Sequence, residues 1–204
     1  MNWQEFTALL VLATAMSFSP GPNTTLSTAL AANGGLSRAM RFVVAVPVGW
    51  TLLLALCAAG IGALVVAMPS LRLAIKALGI GYLLWLAWKL SGSATLGRAD
   101  GKSLSVGFGQ GVMLQFVNIK AWLLALTLSA GWVVNAGGQP AANPGERLAI
   151  ICLVMMAFAF TSNFAYALAG SLLRGWLARG RRLLWFNRFL ALVLLATAVW
   201  MVRA

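Results

Sequence analysis

Inside a long apolar run near the start of the chain stand Ser19-Pro20-Gly21-Pro22-Asn23-Thr24-Thr25. Pro20 and Pro22 each lack a backbone donor, and each ring clashes with the carbonyl four residues back, so a regular helix cannot pass through them. Gly21 between them is read as supplying dihedrals that other residues resist. Asn23, Thr24 and Thr25 can cap a helix that starts afresh. A helix is thus broken and restarted within a stretch that otherwise reads as a membrane span. Broken backbone is tolerated at that depth only where protein or a water-filled cavity satisfies its polar groups. The break is therefore a candidate site.

The rest of the chain supports a membrane setting. Charged residues make up 9% of the 204 and hydrophobic ones 61%, whereas about 25% charged is ordinary for a soluble domain. At about 20 residues per span, the length allows six helices and no appended soluble domain. The first run is read as retained rather than cleaved: Glu5 lies at its start and no Lys or Arg precedes Arg38, so a signal peptide's positive n-region is missing. The net charge of +12 is spread over loops, which suits anionic lipid and not nucleic acid. Cys57 and Cys152 fall in apolar runs and read as small buried hydrophobes.

In chain order, span one covers about Trp3 to Ala32 and contains the break, with Asn33-Gly34-Gly35 as its turn. Span two covers about Phe42 to Met68, closed by Pro69, and span three about Leu71 to Leu90. A polar loop from Ser91 to Ser105 follows. Span four starts near Val106, is interrupted at Gln115-Phe116-Val117-Asn118-Ile119-Lys120, and ends near Asn135. Span five covers about Leu148 to Leu173, with Thr161-Ser162-Asn163 at depth, and span six about Leu183 to Val202.

Lys and Arg concentrate on one side of these spans: Arg38, Arg41, Lys89, Arg98, Lys102 and the run from Arg174 to Arg188. The other side holds Arg72, Lys76, Arg147 and Arg203. The positive-inside rule puts the rich side in the cytoplasm and both termini outside. The interrupted helices open each group of three, and three is odd, so the groups would lie in opposite orientations. The expected fold is an all-α integral membrane protein of two inverted three-helix repeats, about 1–90 and 106–204, forming a single transporter domain.

Lys120 is the most informative side chain. A Lys at mid-membrane is costly on every scale, and no acid shares its span. It can snorkel to an interface, be held by carbonyls freed at the break, or face a cavity and bind a substrate carboxylate; the last is the reading adopted. Asn23 and Asn118 can each donate and accept, and so either cap their half-helices or hold one end of a zwitterion. Thr24, Gln115 and Asn163 are weaker substrate-binding candidates, since lone amides often merely bridge helices. Pro20, Gly21 and Pro22 shape the backbone.

Enzyme chemistry finds no constellation. The chain has no His, only Glu5, Asp100 and Glu146 as carboxylates, and no G-x-x-x-x-G-K-[ST] loop for ATP. No cofactor or metal is expected, and no intramembrane carboxylate relay is visible. Any proton coupling would fall to Lys120, Glu5 or the substrate.

Ser19-Pro20-Gly21-Pro22-Asn23, followed by Gly34-Gly35 and Gly49, resembles the N-terminal signature of the LysE/RhtB amino-acid exporters. Leu78-Gly79-Ile80-Gly81-Tyr82-Leu83-Leu84-Trp85-Leu86-Ala87-Trp88-Lys89 is similar to that family's third span. Asn118-Ile119-Lys120-Ala121 stands where the family usually has Asn-Pro-Lys-Ala, so Ile119 replaces the proline and no ring enforces the second break. The block from Leu114 to Lys120, with Tyr166-Ala167-Leu168-Ala169-Gly170, resembles the cysteine/O-acetylserine exporter branch most closely. The resemblance spans nearly the whole chain. It implies a secondary exporter of small amino acids or their derivatives in a bacterial inner membrane; a channel or a non-transporting membrane protein is the alternative. Which amino acid, which coupling ion and whether the chain forms a homo-oligomer are left open.

Overall fold

A computed structural model describes residues 1–93, 105–136 and 138–203, without the side chain of Ala136. Most of the expected polar loop, including Arg98, Asp100 and Lys102, and Gly137 of the later loop lie outside the described residues.

The chain breaks at the two prolines. α1 (Trp3–Phe18) opens with a reciprocal cap in which Glu5 N donates to Asn2 Oδ1 and Asn2 N donates to Glu5 Oε2. α2 (Pro22–Gly34) begins with proline in its first turn, where the missing N–H has no partner to lose. Gly21 itself is fully extended, with φ of −176°. The expectation of special dihedrals there is corrected, because any residue adopts that backbone. A Cβ on Gly21 would lie 3.7 Å from Lys120 Cδ and Nζ, an ordinary contact.

Gly35, with φ of 87°, turns the chain into α3 (Leu36–Ala58), which starts before the expected Phe42. The expected single span two ends early. Gly60 adopts φ of 97° and separates α3 from the short α4 (Ile61–Ala67), because a left-handed residue cannot continue a right-handed helix. Pro69 does not close that span; it opens α5 (Pro69–Ser91). α6 (Phe108–Val117) and α7 (Ile119–Leu128) follow, and a π-helical turn, Ser129–Val134, extends α7. A two-residue antiparallel pairing of β1 (Asn135–Ala136) with β2 (Gln139–Pro140) leads to α8 (Pro144–Leu177) and α9 (Arg182–Arg203).

The described residues are otherwise all-α. Among the described residues α3, α5, α8 and α9 are long and apolar enough to cross a membrane, and α6 with the α7 segment, bent by 69°, counts as a fifth if the pair is taken as one span. α1 and α2, at 16 and 13 residues, are each shorter than the ~20 residues a bilayer asks of one helix. Large apolar side chains such as Leu73, Trp88 and Leu172 lie two-thirds or more exposed on the outside, as suits a surface that meets acyl chains.

α2 sits at the centre. It packs on α8, α3 and α9, and Leu26, Ala29 and Ala31 are fully buried with Phe42 and Leu86. Close approach comes from small residues, as is common where lipid supplies no hydrophobic drive between helices. A Cβ at Gly170 of α8 would fall 2.3 Å from Thr28 O of α2, and one at Gly79 of α5 would fall 2.0 Å from Val117 O of α6. Polar side chains pin α2 along its length. Asn33 and Asn187 exchange amide hydrogen bonds at 2.9 Å in both directions, and Ser27 Oγ donates to Asn163 Oδ1 at 2.8 Å.

Candidate functional site

The break leaves α1 with carbonyls that have no helical partner, and a helix end in the membrane needs every one satisfied. Each of its last carbonyls has a named donor. Ser19 N takes Ala15 O, and Ser19 Oγ takes Met16 O. Ser162 Oγ donates to Ser17 O at 2.6 Å, and Tyr166 O–H donates to Phe18 O at 3.0 Å. Lys120 Nζ donates to Ser19 O at 3.2 Å and to Ser19 Oγ at 2.6 Å. Three of these donors come from α7 and α8, more than 100 residues away. The second half of the chain therefore caps the broken end of the first.

α6 and α7 part at Asn118, which is extended (φ −91°, ψ 103°) and accepts Lys120 N on its Oδ1 at 3.2 Å. Trp122 Nε1 donates back to Phe116 O at 2.8 Å. An extended, self-capping asparagine and an indole on a freed carbonyl thus break this helix without the proline that Ile119 replaces. Lys120 stands one residue into α7, and the break aims it at Ser19.

Between the two breaks lies a cavity of about 60 Å³. A water needs at least ~10–15 Å³ by this measure, so the space holds a few waters, and an amino acid would require its walls to part. Asn23, Thr24, Asn118, Lys120 and Asn163 all line it. Gln115 does not: it is fully buried behind Asn23. Asn23 Nδ2 donates to Gln115 Oε1 at 2.9 Å and Gln115 Nε2 to Asn23 Oδ1 at 3.1 Å. Asn23 does not cap α2, and one of its N–H groups stays uncommitted. Thr24 does the capping: its Oγ1 accepts Gly21 N at 3.1 Å and lies 3.2 Å from Gly21 O. Asn163 is held between Ser27 Oγ and Ala159 O.

Ser19, Trp50 and Met155 also line the cavity and are not among the residues expected from sequence. Ser19 carried a signal, as the first residue of the proline motif. Trp50 and Met155 read only as apolar positions. Ser19, Gly21 and Lys120 border a second hollow of about 470 Å³ as well, which opens between α1, α7 and α9 toward Thr197 and Trp200. The Lys120–Ser19 pair thus forms part of the wall between the two spaces.

A separate polar lock closes the end of the bundle where α1 and α8 begin. Arg147, 7% exposed, grips Glu5 through two guanidinium nitrogens at 3.0 and 3.2 Å, and its Nε donates to Trp132 O.

The chain matches the family model described as LysE type translocator over residues 14–204. It is 31% identical over 179 residues to a cysteine/O-acetylserine efflux protein of Klebsiella pneumoniae, covering 87% of this chain and 88% of that one. A protein of the same name from Salmonella paratyphi A is 33% identical, with 90% of each chain covered. One from Escherichia coli O139:H28 is 30% identical over 92% of this chain and 91% of its own. No solved structure matches. The chain belongs to the LysE-type translocator family, and so among membrane translocators and not enzymes.

Proposed function

We propose that this protein is a secondary exporter that carries a small amino acid or derivative, of the cysteine or O-acetylserine kind, out of the cytoplasm by alternating access. The substrate class rests on the efflux proteins to which the chain is similar. The observation that carries the mechanism is the ammonium of Lys120, held by Ser19 across two helix breaks and lining the cavity between them. A mid-membrane cation with only neutral oxygens around it is a ready partner for a carboxylate.

The substrate carboxylate displaces Ser19 Oγ from Lys120. The start of α2 lies beside it, where the N–H groups of Asn23 and Thr24 precede the first intrahelical bond, Thr25 N to Gly21 O. Asn23 and Asn118 hold the amino end or the side chain. Moving Ser19 also opens the wall toward the larger hollow, which gives the substrate a way on. The site residues are Asn23, Thr24, Asn118, Lys120 and Asn163, with Gln115 positioning Asn23.

The architecture proposed is six spans, with α1 and α2 together as the first, arranged as two inverted repeats. Support comes from the pairing of equivalent helices: α3 packs on α8, and α5 packs on α9. Both termini then face away from the cytoplasm of a bacterial inner membrane, as the bias of Lys and Arg indicates. The test is saturable counterflow of radiolabelled amino acids in proteoliposomes. Lys120→Gln, folded and inserted, is expected to lose efflux; unchanged efflux removes Lys120 from the mechanism. Unsaturable flux would identify a channel instead.

A further inference from the structure

A groove of about 480 Å³ lies between α4, α5 and α7, separate from the cavity between the breaks. Its walls are apolar: Val65 and Val66 of α4, Ile75 of α5, and Trp122 and Leu126 of α7. It follows α7 from Ile119 to Leu126, eight residues or about 10 Å of helix. That depth runs from the level of the α6–α7 break toward the end of the bundle at which α5 begins. At that end the lining changes character and becomes Arg72 and Lys76. These stand four residues apart, hence on one face of α5. Lys76 spends one N–H on Val202 O at 2.8 Å, and a lysine has three to give.

No Asp or Glu side chain among the described residues reaches either cation. Glu5 is committed to Arg147, and Glu146 Oε2 accepts from Asn143. Two cations at the mouth of a slot lined by aliphatic and indole carbon complement one kind of partner: an anionic head joined to an alkyl chain. A free inorganic anion leaves the slot empty, and a neutral lipid leaves the charges unmatched.

We propose that this groove binds an anionic phospholipid from the leaflet at that end of the bundle. The phosphate sits between Arg72 and Lys76, and an acyl chain runs along α7 past Trp122 toward Ile119. The surface is distinct from the basic-rich loops at the opposite end, where Arg179, Arg181 and Arg182 gather. It also contacts α7, and Leu123 lines both this groove and the hollow bordered by Ser19 and Lys120, so lipid occupancy there bears on the helix that carries Lys120.

The full-length chain, purified in mild detergent, is exchanged into mixed micelles holding equal phosphatidylglycerol and phosphatidylcholine of identical chains. Retained lipid is counted by native mass spectrometry. Phosphatidylglycerol is expected to be retained preferentially. The preference should fall roughly fivefold for each of Arg72→Gln and Lys76→Gln, given about 1 kcal/mol per basic residue at a lipid surface. Arg179→Gln with Arg181→Gln, whose charges border no slot, should lower it less than either single change. Inorganic phosphate in excess should not displace the lipid, because it cannot fill the slot. Equal retention of the two lipids overturns the proposal. So does a preference that survives loss of both Arg72 and Lys76, competition by phosphate alone, or a second copy of the chain occupying the groove.

Discussion

Exchanging Asn23 or Gln115 for leucine tests the coupling of the two halves, and the two changes should not cost the same. The side chains trade hydrogen bonds at 2.9 and 3.1 Å. Measured side-chain bonds within membrane proteins average about 0.6 kcal/mol, so the pair is worth about 1.2 kcal/mol, roughly eightfold in an unfolding constant. Gln115→Leu frees the Asn23 amide, but Asn23 lines a polar cavity and can turn to water there. Asn23→Leu strands Gln115, whose exposure is 0%. Its Nε2 keeps Gly111 O at 3.1 Å, but its Oε1 is left buried and unpaired, which adds about 1–3 kcal/mol. Asn23→Leu should therefore destabilise more than Gln115→Leu, and the double variant less than the sum, by about 2–4 kcal/mol, because it loses the pair only once and strands no amide. The assay is reversible unfolding of purified protein in mixed micelles, completed as a double-mutant cycle. Strictly additive effects, or Gln115→Leu as the costlier single change, would refute the reasoning.

Other outcomes follow from the same geometry. Gly79→Ala puts a Cβ 2.0 Å from Val117 O and should lower stability by about 1–3 kcal/mol or more, whereas Gly81→Ala meets nothing within 4 Å and should be silent in a thermal scan. Asn118→Ala removes the cap of α7 and should cost about 1 kcal/mol; Asn118→Asp, which keeps the acceptor, should recover much of that in the same unfolding assay. Removing Glu5 leaves Arg147 buried beside no carboxylate, so Glu5→Leu should depress the melting midpoint more than Arg147→Met; the reverse order would argue against a buried-charge origin.

The first break was legible because proline acts locally: two missing donors between Phe18 and Asn23 end a helix in any fold. The second was legible only as a polar interruption, since Asn118 breaks the helix through its own cap and extended backbone, which composition does not announce. The break at Gly60 stayed hidden. Gly is common within membrane helices, and its left-handed conformation depends on how α4 folds back. Gln115 looked like a candidate ligand because a lone amide carries no sign of its partner, here 92 residues away. The capping roles of Ser162 and Tyr166 were hidden for a related reason. Their acceptors are backbone carbonyls of α1, and a carbonyl looks the same in every residue.

That last arrangement bears on how the chain is made. α1 and α2 leave the ribosome before α7 and α8, and in the proposed six-span arrangement the carbonyls of Ser17, Phe18 and Ser19 then lie open at membrane depth. The groups that close them, Lys120, Ser162 and Tyr166, are synthesised long afterwards. Until then this broken first span has no low-energy place in bare lipid. It should linger in contact with the insertion machinery or with water, and a fragment ending before α6 should be degraded unless the second half is supplied in trans.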